Sequence, residues 1–349
     1  PEPLHTIVKG TITVADSLDD SGDYSGIGIS IITRDSTNAL ADTLYSVQTD
    51  AKGDFEGAVQ FPDKRYYNLF ISRNGTDLGS LGVILADEDT LTVNAELPEI
   101  NKTVTLQSHE HEAMKTYVRV DRSFQRVQAF VRNGAIPDSQ ILDEVKKWSD
   151  LYWQVYQKYD HTIAAYLAAE KSANLLNNFY PKKMISRIDS ALPEDYMISV
   201  ALRLGKPYIA EAKGFEAASA YLDSLAEIST SETAREVVER DKIKMYFDSS
   251  RVKEAKTLLT NYEKHYDEKP SSKKWARRIR YDLNYLAPGV PAPDFSFITM
   301  DGDTVNNERL KGSTYILEIS PLANREYQND YDRTLIIHQI YKNYGLKIF

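Results

Sequence analysis

Cysteine is absent from all 349 residues, so the chain can form no disulfide and can present no thiolate nucleophile of its own. That absence fits an oxidising compartment, where a stray thiol is a liability, and decides little about address alone. An excess of basic charge is missing as well: 42 Lys and Arg face 51 Asp and Glu, which argues against general binding to nucleic acid or to an anionic membrane. No apolar run approaches the roughly 18–20 residues of a spanning helix. The acidic stretch Asp16 to Asp23 lacks the regular ligand spacing of an EF-hand and reads as a solvated loop. His109-Glu-His-Glu112 would place His109 and His111 on one side of an extended segment, a zinc-competent pair if a third ligand joined it. No helical His-Glu-x-x-His accompanies it, and the pair reads as a polar junction rather than a metal site. No cofactor is implied.

With 42% hydrophobic residues the chain can fill two or three ordinary cores. Its hydrophobic period changes twice. Up to residue 106 short β-branched or aromatic runs alternate and are bounded by Asp, Gly, Ser and Asn: Ile7–Val14, Ile27–Thr33, Tyr45–Thr49, Phe55–Phe61, Tyr66–Ile71 and Thr90–Ala95. Strands at that spacing predict a β-sandwich. From 107 to 287 the period becomes helical. Ile141 through Trp148, Tyr152, Val155 and Tyr159 form an apolar and aromatic stripe, read as core rather than as a sugar-stacking surface of Trp148, Tyr152, Trp153 and Tyr156. Further helices are expected at 162–179, 186–192, 194–204, 208–228, 231–247, 250–266 and 271–286, punctuated by Pro181, Pro193, Gly205, Pro207 and Pro270. Phe215–Leu222 and Val252–Leu259 share Glu-Ala and bulky residues at like offsets, a weak echo of tetratricopeptide helices in what reads as an α-hairpin bundle. The fold class expected is multidomain α+β: a sandwich over 1–106, a helical domain over 107–287 and an α/β segment over 288–349.

The last segment is the most informative. Prolines at 288, 291 and 293 force an extended lead-in to a strand at Ser296–Met300; Asp301-Gly302 turns it back through Asp303–Val305. A helical turn stopped by Gly312, a buried strand over 314–319, a loop over 320–325, a helix from Glu326 to Tyr344 and a strand opening at Leu346 follow. On that helix Leu335, Ile336, Ile340 and Tyr344 are expected to pack on the sheet.

Pro291-Ala-Pro-Asp-Phe295, Asp301-Gly-Asp-Thr-Val305, Leu310-Lys-Gly312 and Tyr341-Lys-Asn-Tyr-Gly-Leu-Lys-Ile348 together resemble the front half of the redoxin members of the thioredoxin superfamily, the TlpA-like envelope oxidoreductases and their AhpC/TSA peroxiredoxin relatives. In active relatives the loop before the helix carries Cys-x-x-Cys. Here it reads Ile319-Ser-Pro-Leu-Ala-Asn-Arg-Glu-Tyr327, and Asn324 and Tyr327 fall where the cysteines would be. Thr49-Asp-Ala-Lys-Gly-Asp-Phe55 with Phe61-Pro62 and Tyr67-Asn-Leu69 is similar to the transthyretin-like, carboxypeptidase-regulatory-like sandwiches of envelope proteins in the Bacteroidota, which precede helical and redoxin modules in that phylum. Seven Asp-Ser/Thr motifs, with acceptors Ser17, Ser36, Thr43, Thr90, Ser190, Ser224 and Thr304, are similar to the O-glycosylation signal of exported proteins there.

These resemblances imply an exported protein, periplasmic or associated with the outer membrane, with a lipid anchor conceivable upstream of Pro1. The expected role is a redox-inactive binding or scaffold subunit that meets a protein partner in the envelope, with Leu322, Asn324 and Arg325 as the contact loop. Two alternatives stand beside it: an oxidoreductase of the family whose thiols lie outside this chain, and an accessory lipoprotein that binds glycan or peptide.

Overall fold

Along Leu4–Val14 (β1), Thr6, Val8, Ile12 and Val14 are buried and most residues between them are not, the two-residue period of a strand with one face in a core. The computed structural model describes residues 3–34, 40–192, 195–321 and 323–349. The chain divides into two compact units, 1–241 and 242–349.

In the first unit β1 is followed by Ile27–Arg34 (β2), Leu40–Gln48 (β3), Asp54–Phe61 (β4), Arg65–Arg73 (β5), Thr76–Leu85 (β6) and Thr90–Leu97 (β7). A turn of helix, Ile100–Thr103 (α1), leads to the short strand Thr105–Gln107 (β8). One sheet has the order β4-β1-β7-β8 and the other β3-β2-β5-β6. Pairing is antiparallel except between β1 and β7, which run parallel from Ile7 opposite Thr90 to Val14 opposite Leu97. Val8, Ile12, Phe61 and Val93 of one sheet and Ile29, Ile31, Leu69 and Ile71 of the other are no more than 1% exposed and share one core. Burial of such side chains contributes about 1.5–3 kcal/mol each. β6 and β8 are additions to the strands expected from the sequence. Gly79 and Gly82 interrupt the alternation of β6, a pattern tolerated because it lies at the edge of its sheet. The turn joining β3 to β4 needs glycine at one point: Gly53 has φ +83°, and a Cβ there would lie 2.2 Å from the Ile12 carbonyl oxygen.

The helices are His109–Arg132 (α2), Asp138–Lys158 (α3), Ile163–Leu176 (α4), Pro181–Ser190 (α5), Ile198–Val200 (α6), Lys206–Lys213 (α7), Phe215–Ile228 (α8) and Glu232–Asp248 (α9), the last running past the boundary between the units. Pro181 opens α5 at its first turn, where a missing N–H costs nothing. Gly205 and Pro207 do not separate helices: a π-helical turn over Ala201–Gly205 joins α6 to α7, and the wider turn absorbs the proline ring. The break falls instead at Gly214, whose φ of +87° splits the helix expected over 208–228. Trp148 and Tyr152 are buried with Phe124, Val155 and Ala168, and the Tyr152 hydroxyl donates to Asp121 Oδ1 at 2.7 Å, so this stretch of the aromatic stripe is core. Arg187, 6% exposed, donates to the hydroxyls of Ser149 and Ser172 and pairs with Asp150, which satisfies a guanidinium that burial would otherwise penalise.

Sandwich and helices meet at Glu110. This carboxylate, 2% exposed in the first turn of α2, accepts the Ile163 N–H at the start of α4 at 3.0 Å and lies 3.3 Å from Lys64 Nζ in the turn between β4 and β5. One anion therefore serves the positive ends of two helix dipoles and a lysine of the sandwich. Glu110→Ala is expected to lower the unfolding free energy of the first unit by about 2–3 kcal/mol, because the Ile163 N–H loses its acceptor and Lys64 loses its counter-ion, keeping only the His161 carbonyl. Glu110→Gln, which still accepts the N–H, should cost less, and Glu112→Ala on the exposed side of the same turn should stay within about 0.5 kcal/mol. Urea titrations followed by helical circular dichroism provide the measurement, and equal losses for all three would remove Glu110 from this role.

The second unit holds the end of α9, Val252–His265 (α10) and Pro270–Tyr285 (α11), whose Ala255, Leu259, Tyr262, Ala276, Ile279 and Leu283 form a small core with Ile243. Ser296–Ile298 (β9) and Thr304–Asn306 (β10) make a hairpin turned at Gly302, φ +86°. Tyr315–Ile316 (β11), Arg325–Tyr341 (α12) and Lys347–Ile348 (β12) form a β-α-β unit with parallel strands. No helix among the described residues is long and apolar enough to cross a membrane.

Candidate functional site

The proline-rich lead-in is fixed by one side chain. Asn307 accepts the Phe295 N–H at 2.7 Å and donates to the Pro293 carbonyl at 3.0 Å, which pins the extended segment beside β10. Phe295 then meets Tyr315 edge-on at 5.9 Å between centroids, and Phe297 meets Phe349 at 5.8 Å, so rings tie the hairpin to both strands of the β-α-β unit. The parallel ladder runs past β11 itself. The Phe349 N–H donates to the Ile316 carbonyl at 3.0 Å, and the Glu318 N–H donates to the Phe349 carbonyl at 2.9 Å.

Asn324 is the N-cap of α12: its Oδ1 accepts the Glu326 N–H at 2.9 Å. Arg325 begins the helix and is exposed, and Leu322 lies outside the described residues. Tyr327 is half-buried and lines a cleft of about 300 Å³ together with Glu318, Ser320, Tyr331, His338 and Phe349. Thus Asn324 and Tyr327 separate in role, Asn324 capping the helix and Tyr327 facing the cleft. The helix face turned to the sheet is the row Tyr327, Tyr331, Thr334, Leu335 and His338. Of the residues expected to pack there only Leu335 lines the cleft, and it is still 42% exposed. Ile336, Ile340 and Tyr344 are 55%, 56% and 84% exposed, because the row facing the sheet is set by Tyr327 and its i+4 and i+7 neighbours rather than by the most apolar stripe.

The cleft supplies tyrosine rings 6.3 Å apart, a carboxylate, hydroxyls and an imidazole over an apolar floor. Among the described residues no hydrogen bond joins Ser320, His338 and Glu318; the Ser320 hydroxyl turns toward the Pro321 carbonyl instead. An activated nucleophile needs a base within hydrogen-bond reach, and this arrangement offers none. The cleft residues other than Tyr327 and Leu335 were not singled out from sequence, although the i+4 and i+7 spacing from Tyr327 was there to find Tyr331 and Thr334.

The other sequence candidates lie in the first unit. His109 is exposed, its ring 6.0 Å from that of Tyr159, whereas the His111 ring is engaged by Ser108 and Ile84. No group of three potential metal ligands occurs among the described residues. In the Asp16 to Asp23 loop the Asp19 carboxylate takes the Ser21 N–H at 3.1 Å and Arg73 at 3.1 Å, and these contacts hold it below the usual carboxylate range. Ser17, Thr43, Thr90, Ser190, Ser224 and Thr304 are all exposed, and Ser36 lies outside the described residues.

Searches against protein-family models and against curated proteins find no match for this chain.

Asn324→Ala is expected to destabilise α12 by about 1 kcal/mol through loss of the cap, whereas Asn324→Ser or Asn324→Asp should be nearly neutral. Hydrogen exchange of the first-turn amides of α12, Glu326 above all, is the check; equal protection in the alanine and serine variants would show that the side chain caps nothing.

Proposed function

We propose that this chain is a redox-inactive, thioredoxin-like protein of the cell envelope that works as a binding or scaffold subunit, meeting a protein partner through the open edge of its C-terminal unit. The observation that carries the proposal is the β-α-β unit with a capping asparagine and a tyrosine beside an open cleft, at the positions where the redoxins that this segment resembles hold thiols. Cysteine is absent, so the dithiol route is closed to this chain by composition. The exposed guanidinium of Arg325 adds a fork that matches a carboxylate, and Tyr331 adds a half-exposed ring. The division into a 1–106 sandwich, a 107–287 helical domain and a 288–349 redoxin-like segment, export to the periplasm or outer membrane, and O-glycosylation at the exposed Asp-Ser/Thr motifs belong to the same proposal.

Two measurements test it. The purified chain should reduce insulin and turn over peroxide no faster than buffer; turnover above that level would end the redox-inactive reading. Crosslinking in envelope preparations should capture a protein partner, and Arg325→Ala combined with Tyr331→Ala should reduce that capture about tenfold or more while leaving the melting temperature nearly unchanged, both residues being exposed. Undiminished capture by the double variant would move the recognition surface away from this edge.

A further inference from the structure

A contact in the first unit requires one protonation state of one side chain. Ser108 is the N-cap of α2, and its Oγ accepts the His111 backbone N–H at 3.2 Å. The His111 ring sits between that hydroxyl and the sandwich, with Nδ1 2.9 Å from Ser108 Oγ and Nε2 accepting the Ile84 N–H of β6 at 3.3 Å. An imidazole nitrogen that accepts carries no proton, so Nε2 is bare and the single ring proton of the neutral form resides on Nδ1, donated to Ser108 Oγ. Protonation of Nε2 would set an N–H against the Ile84 N–H. The contact would then turn from attractive to repulsive.

Ile84 itself is 1% exposed, and β6 is an edge strand of its sheet. His111 therefore covers an outward backbone donor of an open edge. We propose that His111 is a pH-sensitive clasp between the edge strand β6 and the first turn of α2, closed while the imidazole is neutral and released when it gains a proton.

The surroundings favour the neutral ring. Burial pushes the imidazole below its ordinary 6.5, and Asp89, in the loop between β6 and β7, pulls weakly the other way. The position in the first turn of α2 places any added positive charge at the positive end of the helix dipole. On α2 the charged or titratable groups adjacent in sequence are His109, Glu110 and Glu112, of which Glu110 is engaged by Lys64, and the cation Lys115 stands one turn on at i+4, on the same face as His111. From β5 comes Tyr66, in register with Ile84. The cleft beside Glu110 adds Asp87, Glu88, Asp160 and His161. A folded-state value below the unfolded one means that the unfolded chain binds the proton more readily. The clasp thus contributes its full stability above about pH 6.5 and loses it as the pH falls below that value.

The test is hydrogen exchange of the Ile84 amide in the full chain, corrected for intrinsic rate, between about pH 7.5 and about pH 5, a range in which ordinary carboxylates stay ionised. Protection in the wild type should fall about tenfold or more across the range. His111→Gln keeps an acceptor near the place of Nε2 and removes the titration, so its protection should stay flat. His109→Gln and His161→Asn should behave as the wild type. A flat wild-type profile, or the same fall in His111→Gln, overturns the proposal. Should His111→Gln fail to fold, nitrogen resonances of the wild-type ring decide: the Nδ1–H tautomer with a midpoint below 6.5 supports the clasp, and the Nε2–H tautomer or a midpoint at or above 6.5 overturns it.

Discussion

A single buried carboxylate organises the larger unit. Glu110 would carry an uncompensated charge in a nearly dry place were it not for Lys64 and the Ile163 N–H, and each of these comes from a different element. The sandwich, the start of α2 and the start of α4 are therefore fixed to one point, within a turn of the Ser108 and His111 contacts to the same sandwich edge. Apolar burial supplies most of the folding free energy here as elsewhere, but it does not choose an angle between layers. Directional bonds to an anion do.

The smaller unit is held differently. Its hairpin and β-α-β unit are joined by edge-on rings and by one asparagine that clamps a proline-rich strand, while α12 buries none of its residues fully. A helix so exposed on its apolar side owes its placement to its cap and to the short parallel ladder beneath it. The cap matters twice over. In a thiol-bearing loop the free N–H groups at a helix start would lower a sulfur's pKa, whereas here Asn324 itself takes one of those donors, so the local field is spent on the helix rather than on a reactive atom.

Much of this was legible in the residues. The two-residue alternation of β1 and β7, the Asp301-Gly302 turn and the helical stripe through Trp148 and Tyr152 each rest on a local pattern that tertiary structure reinforces. Other elements were hidden for reasons equally local. β6 carries two glycines and survives as an edge strand, the helix past Pro207 depends on a π turn that no propensity announces, and the break at Gly214 turns on a backbone angle rather than on a breaker of strong character. Tyr327 was picked out only through the resemblance to redoxins, and the cleft that it enters is walled also by Ile348 and Phe349, across a helix whose most apolar stripe points elsewhere.

The parallel pairing of β1 with β7 also bears on how a nascent chain reaches this fold. β1 lies inside its sheet, with Thr11 bonded to Asp54 43 residues ahead on one side and to Asn94 83 residues ahead on the other. The antiparallel partner β4 is synthesised first, but the other edge of β1 stays unpaired until Thr90–Leu97 has followed it. At elongation rates of about 5–20 residues per second that interval lasts roughly 4–17 seconds, long compared with the microseconds in which a hairpin closes. Through that window the chain displays an open strand edge with apolar side chains on one face, and it is then, rather than in the finished fold, that a holding chaperone has the most to protect.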